Sequence, residues 1–186
     1  MTTSQSIWRN LFHFSGIVIP LVYLLINRGA ALGLTIFLLC TLLVVEFLRL
    51  TGRVRLGTAG KYLKEKEQNK PTGSLFYMVA ALVTILLFRE KVAISALLVL
   101  CISDPVSSLV GRSLGRHPLF GKSIEGTLAF LFSSLIILTL FSTAGLSVTL
   151  AAALIATLTE LCTPRFLDDN LTIPIVTGLA LTLLGG

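Results

Sequence analysis

The sequence predicts an all-α protein: a polytopic integral membrane bundle of six or seven transmembrane helices, with one helix broken near Asp104-Pro105. Three observations carry this. Hydrophobic residues make up 54% of the chain and charged residues 13%, about half the charge of an ordinary soluble domain, and the mean hydropathy is +0.91. Apolar runs near the length needed to cross a bilayer, about 20 residues, recur along the chain. The remaining charges gather at alternate ends of those runs. So little chain lies outside the runs that one membrane-embedded domain, 1–186, is expected, and no nucleic-acid partner.

The runs are 11–27, 31–50, 73–88, 92–111, 126–144, 147–162 and 172–185. The first follows a single basic residue, Arg9, and no small-x-small site comes after it, so it reads as a span and not a removable signal. The sixth and seventh are short and read as tilted or re-entrant. The longest polar connection is 51–72. Cys40, Cys101 and Cys162 fall inside apolar runs, with no CxxC or Cys-His spacing. They read as small buried thiols, not metal ligands or a disulfide pair.

Basic residues set the orientation. With seven spans, all but Arg28, Arg89 and Lys91 of the fifteen fall on the side of the N-terminus. That side, with loops 51–72, 112–125 and 163–171, is expected to be cytoplasmic. The acids lie outside that rule, yet only Glu90 of nine falls on the opposite side. Asp104 and Glu160 lie within or at the end of apolar spans. An ionised side chain there costs about 2.5–3.5 kcal/mol, so such groups face a wet cavity or the protein interior. Charges at one face favour a site at the helix ends over a transporter's ion path near the midplane or a non-catalytic assembly role.

Four stretches hold the candidate chemistry. In "CISDPVSSLVGRSLGR", Asp104 reads as a helix N-cap and Pro105 as the first helical residue, which would break the fourth span. Positions 104, 107, 108, 111 and 115 then form a small, polar stripe. The Gly111–Gly115 spacing could equally serve helix packing or a dimer contact. In "GRHPLFGKSIEGT", a Gly-Lys-Ser sits in a glycine-punctuated loop. It is no Walker loop, because Gly115 and Gly121 bracket five residues instead of four and a membrane helix precedes them in place of a strand. The physical ingredients remain: Lys122 as a point charge, Ser123 as a cap or phosphate donor, and a helix N-terminus behind them. Glu125 could ligate Mg²⁺ or pair with Lys122. In "ELCTPRFLDDNLTIP", Asp168, Asp169 and Asn170 either cap the last span or offer oxygen ligands to Mg²⁺. Arg9 and His13 stand one turn apart at the mouth of the first span, and Glu67, Thr72 and Gly73 stand at the mouth of the third.

Taken in order, these pieces resemble the CTP-dependent lipid-alcohol kinases: dolichol kinase, phytol kinase and the CTP-using diacylglycerol kinase. The specific part is Asp104-Pro105 followed by Lys122-Ser123-x-Glu125-Gly126-Thr127, and the likeness covers about residues 9–175. It implies Mg²⁺-dependent transfer of a phosphoryl group from CTP to the hydroxyl of a membrane lipid such as a polyprenol, dolichol, phytol, geranylgeraniol or diacylglycerol. It also implies roles. Asp104, Lys122 and Glu125 would be catalytic, and Asp104, Glu125 and Asp169 would ligate the metal. Gly111, Arg112, Gly115, Arg116, Gly121, Lys122, Ser123, Gly126, Thr127 and Asn170 would cradle the nucleotide. His13, Glu67, Glu160 and Asp168 are further candidates. Asp104, expected to be the most buried carboxylate, is the candidate proton acceptor. A CTP:lipid-phosphate cytidylyltransferase, which releases pyrophosphate and makes a CDP-lipid, is the alternative.

Overall fold

A computed structural model describes residues 15–53, 70–163 and 167–185. Among them are seven helices: α1 (Val18–Leu25), α2 (Arg28–Leu50), α3 (Gly73–Leu87), α4 (Glu90–Ser113), α5 (Ile124–Phe141), α6 (Leu146–Cys162) and α7 (Asp169–Gly185). Two residue pairs, β1 (Pro118–Leu119) and β2 (Lys122–Ser123), form an antiparallel ribbon between α4 and α5. The all-α class therefore holds, with this small addition.

α4 lies at the centre: 67% of its most apolar stretch is buried, against 17% for α2 and 28% for α5. Lipid tails are as apolar as leucine, so helices in a membrane associate through close packing of small residues. The contacts follow that rule. Ala80 and Ala81 on α3, Ala93 and Ala96 on α4, and Ala152, Ala153 and Ala156 on α6 are fully buried. A Cβ added at Gly178 of α7 would lie 2.3 Å from the Phe88 ring, so only glycine fits there. Larger apolar groups such as Phe37, Phe47, Phe132 and Leu140 face outward, as a lipid-facing surface requires.

The helix ends are tied by polar groups. The Asn27 side chain accepts from Ala30 N at 2.9 Å and caps α2. Arg28 donates to the carbonyls of Ile85 and Leu86, which end α3 without intrahelical partners. At the other end of the same pair, buried Glu46 accepts from Thr72 N at 2.8 Å and from Arg49 Nε at 2.6 Å. This fixes the start of α3 against the end of α2.

Three sequence expectations are corrected. First, the span count: among the described residues only α2, α4 and α5 are long and apolar enough to cross a membrane. α3 has 15 residues and α6 and α7 have 17 each. At 1.5 Å per residue these reach about 22–26 Å, short of a hydrocarbon core of about 30 Å. The runs that became α3, α6 and α7 were themselves short, and the helices that formed there are of nearly the same length. Second, α4 is not broken at Asp104, whose φ of −66° and ψ of −48° are helical. Proline removes one N–H and its ring collides with the carbonyl four residues earlier. The chain absorbs this by widening one turn, Val99–Ser103, into a π-helical turn just before Pro105. Third, only Cys101 is buried; Cys40 and Cys162 are exposed, and all three are free.

Candidate active site

Several helix ends converge on one cavity of about 550 Å³. The second half of α4 supplies Asp104, Ser107, Ser108, Gly111 and Arg112; the start of α5 supplies Gly126; α6 ends there with Glu160 and α7 begins with Asp169. The connection between α4 and α5 completes the wall with Gly115, Arg116, His117, Gly121, Lys122 and Ser123. The π turn bears on this placement. It shifts the register of α4 just before Asp104, so a helix buried all round in its first half presents a polar stripe in its second. π turns of this kind sit frequently at functional sites.

The glycines explain how α4 and α5 come close enough to share a wall. A Cβ on Gly126 would lie 3.0 Å from Ser107 O and 3.2 Å from Gly111 Cα. A Cβ on Gly111 would lie 3.0 Å from Ser123 Oγ. The stripe read from the sequence as either cavity or packing surface is therefore both.

The ribbon sets the lysine. Phe120 and Gly121 have φ of 47° and 85°, the two left-handed residues of a tight hairpin turn. This turn pairs Leu119 with Lys122 and Pro118 with Ser123. Ser123 then starts α5: its Oγ accepts from Gly126 N at 3.1 Å. Of the two roles open to Ser123, the structure shows the cap. The Thr127 hydroxyl bonds back to Ser123 O at 3.0 Å, away from the cavity-lining set.

The ion pairs differ from expectation. Lys122 pairs not with Glu125 but with Glu160, 2.5 Å from Oε1, and donates to the Glu160 carbonyl at 2.6 Å. Glu160 is 2% exposed; Ser107 Oγ also reaches its Oε1 at 3.3 Å, while Oε2 is buried with no hydrogen-bond partner. Glu160 is the buried member of the pair and Lys122 is 34% exposed, so loss of the lysine would leave a buried carboxylate uncompensated. Glu125 instead bonds His117 Nδ1 at 2.7 Å on the rim and does not line the cavity. Asp104 is half-buried, so the most buried carboxylate of the site is Glu160.

The α7 start divides its acids. Asp168, buried, accepts from Asn170 N at 3.2 Å and Asn170 Nδ2 at 2.6 Å, the capping role. Asp169 lines the cavity. Asn170 is buried and its Oδ1 has no hydrogen-bond partner. Of the three expected metal ligands, then, Asp104 and Asp169 share the cavity and Glu125 does not. Among the described residues no group of three His, Cys, Asp or Glu side chains could hold a metal ion. Two carboxylates still suit Mg²⁺, which takes one or two and leaves its other positions to water and phosphates. Arg9, His13 and Glu67 lie outside the described residues. His117 went unremarked in the sequence, where a lone histidine in a loop carries no distinguishing signal.

No family model and no solved structure matches the chain. It is 32% identical over 137 residues to an uncharacterized protein of Rickettsia prowazekii, covering 69% of this chain and 67% of that one. It is 32% identical over 117 residues to an uncharacterized protein of Methanocaldococcus jannaschii, covering 61% of this chain and 58% of that one. It is also 31% identical over 156 residues to the CTP-dependent diacylglycerol kinase 1 of Schizosaccharomyces pombe, covering 74% of this chain and 70% of the kinase. At that identity and coverage, this protein belongs to the family of that kinase.

Proposed function

We propose that the protein is a CTP- and Mg²⁺-dependent kinase that phosphorylates the hydroxyl of a membrane lipid, a polyprenol, dolichol, phytol, geranylgeraniol or diacylglycerol. The observation that carries this is one cavity, at the ends of apolar helices, walled by Arg112, Arg116 and Lys122 together with Asp104 and Asp169. The family relation supports CTP as the nucleotide and phosphoryl transfer as the reaction class. A lipid alcohol lives in the bilayer and a nucleotide arrives from water, so their meeting point must be a helix end. Arg112, Arg116 and Lys122 stand at that end of α4 against Arg89 and Lys91 at the other, and on this balance we assign it to the cytoplasmic face.

Phosphoryl transfer demands positioning and charge neutralisation more than covalent help from the protein. Lys122, Arg112 and Arg116 offset the charge of the phosphates. Asp104 and Asp169 would hold Mg²⁺, which when bound neutralises phosphate oxygens. Asp104 receives the hydroxyl proton as the acceptor oxygen bonds to phosphorus and the bond to CDP breaks. The claim of Asp104 rests on position and not on burial. Asp104 lines the cavity from the middle of α4. The lipid chain stays among the outward-facing apolar side chains.

The test is an incubation of purified protein in lipid-detergent micelles with Mg²⁺ and γ-labelled CTP, ATP or GTP, against a panel of the five alcohols and phosphatidic acid. Label passing from CTP to an alcohol is expected. Pyrophosphate release with a CDP-lipid would replace the kinase by a cytidylyltransferase.

A further inference from the structure

Lys122 sits in a socket built from two parts of a single residue, Glu160. Glu160 lies in the last turn of α6 (Leu146–Cys162), where a helix leaves its final carbonyls without intrahelical partners. Lys122 Nζ supplies a donor to the Glu160 carbonyl at 2.6 Å. The same ammonium lies 2.5 Å from Oε1 of the same residue. A cation at this place also complements the negative end of the α6 dipole.

We infer that Glu160 is a positioning residue, which presets Lys122 before nucleotide binds and keeps it in place afterwards. This rests on the kinase reading given above. A lysine ammonium has three N–H donors. Two go to Glu160, and the third is left for a phosphate oxygen of a ligand in the cavity that Lys122 lines. The geometry also decides between a fixed and a swinging lysine. Were Lys122 to leave, Glu160 would be stranded, 2% exposed, with only the distant Ser107 hydroxyl on Oε1 and nothing on Oε2. A stranded buried carboxylate is strongly disfavoured. Lys122 therefore stays with Glu160 while it touches phosphate. A flexible four-carbon side chain would otherwise have to be ordered on each encounter; Glu160 settles that order in advance.

A double-mutant cycle tests this. Glu160→Leu, Lys122→Met and the double variant are compared with the intact protein in turnover and in affinity for β,γ-methylene-CTP, and Glu160→Gln serves as the conservative variant. Glu160→Leu is expected to lower kcat at least 100-fold with KM for the lipid unchanged. Glu160→Gln, which keeps an acceptor for Lys122, is expected to stay within about fivefold of the intact protein. In the Lys122→Met background, Glu160→Leu should cost nothing further in either readout, because Glu160 acts only through the lysine. The double variant buries no unpaired charge, so its elution as a single species in detergent shows that lost activity is not lost fold. Multiplying losses would overturn the inference and make Glu160 an independent participant. So would intact-protein turnover in Glu160→Leu. An intact protein that binds the analogue but moves no label would sink the kinase reading alone, and the cycle would still be read in affinity.

Discussion

Two buried glutamates, each at the end of a helix and each beside a cation, differ in what is left over. Glu46 uses both oxygens: Oε2 meets Arg49, and Oε1 accepts from Thr72 N. Arg49 is itself 7% exposed, and one of its nitrogens donates to Lys70 O. Every charge there is spent on joining α2 to α3. Glu160 uses one oxygen, leaves the other unpartnered, and faces a cavity with its lysine. A closed polar network holds structure; an open one beside a cavity leaves capacity for a ligand.

The comparison breaks if the open network proves dispensable, so the largest expected effect is there. Asp104→Asn, on the same cavity, should reduce label transfer from CTP by at least 1,000-fold, about 4 kcal/mol of transition-state stabilisation. Elution as a single species from a sizing column in detergent should be unchanged. Turnover within tenfold of the intact protein would remove Asp104 from the chemistry. The closed network should respond the other way. Glu46→Ala leaves the buried Arg49 guanidinium without its carboxylate and should cost about 3–5 kcal/mol of stability, read as a lower melting temperature in detergent. The fraction that remains folded should turn over within threefold of normal. If activity falls and the melting temperature does not, the network of Glu46 belongs to the site.

How far the sequence disclosed this can be judged residue by residue. Long continuous apolar runs, with only 13% charge between them, were enough for the helices. Motif order was enough to bring Asp104, Gly111, Arg112, Lys122 and Asp169 to one cavity. The pairing of charges was not legible. Glu125 is three residues from Lys122 and Glu160 is thirty-eight away, yet the lysine chose the second. Local spacing cannot show that a hairpin turn at Phe120-Gly121 carries Lys122 towards the end of α6. The π turn was half-legible. Proline disturbs a helix, but whether the helix breaks or widens depends on packing, and α4 is packed on all sides before Pro105. Span number failed because the runs 73–88, 147–162 and 172–185 were counted as spans, although at about 1.5 Å per residue helices of that length fall short of a hydrocarbon core.

A sharper, intermediate test concerns the close approach of α4 and α5. Gly126→Ala places a Cβ 3.0 Å from Ser107 O and 3.2 Å from Gly111 Cα, both backbone atoms that cannot rotate aside. Overpacking of this kind costs about 1–3 kcal/mol. Because the same approach forms the cavity wall, Gly126→Ala should lower both the melting temperature and the turnover. Glu46→Ala should lower only the first. A Gly126→Ala protein with normal turnover would show that the wall tolerates a shift of α5.

The smallest expected effect is a gain. Phe120 is 82% exposed and holds φ of 47°, a conformation that costs an L-residue with a bulky side chain about 1–2 kcal/mol. Asparagine tolerates that region, and Asn-Gly is the preferred pair for a two-residue hairpin turn. Phe120→Asn removes almost no buried contact, so the strain it relieves should appear as added stability of about 0.5–1 kcal/mol, a rise of a few degrees in melting temperature. The ribbon would then hold Lys122 at least as firmly, and turnover should not fall. A lower melting temperature in lipid micelles, with none in short-chain detergent, would mean that the aromatic ring is stabilised by lipid. The strain at the hairpin tip would then be held in place from outside the protein.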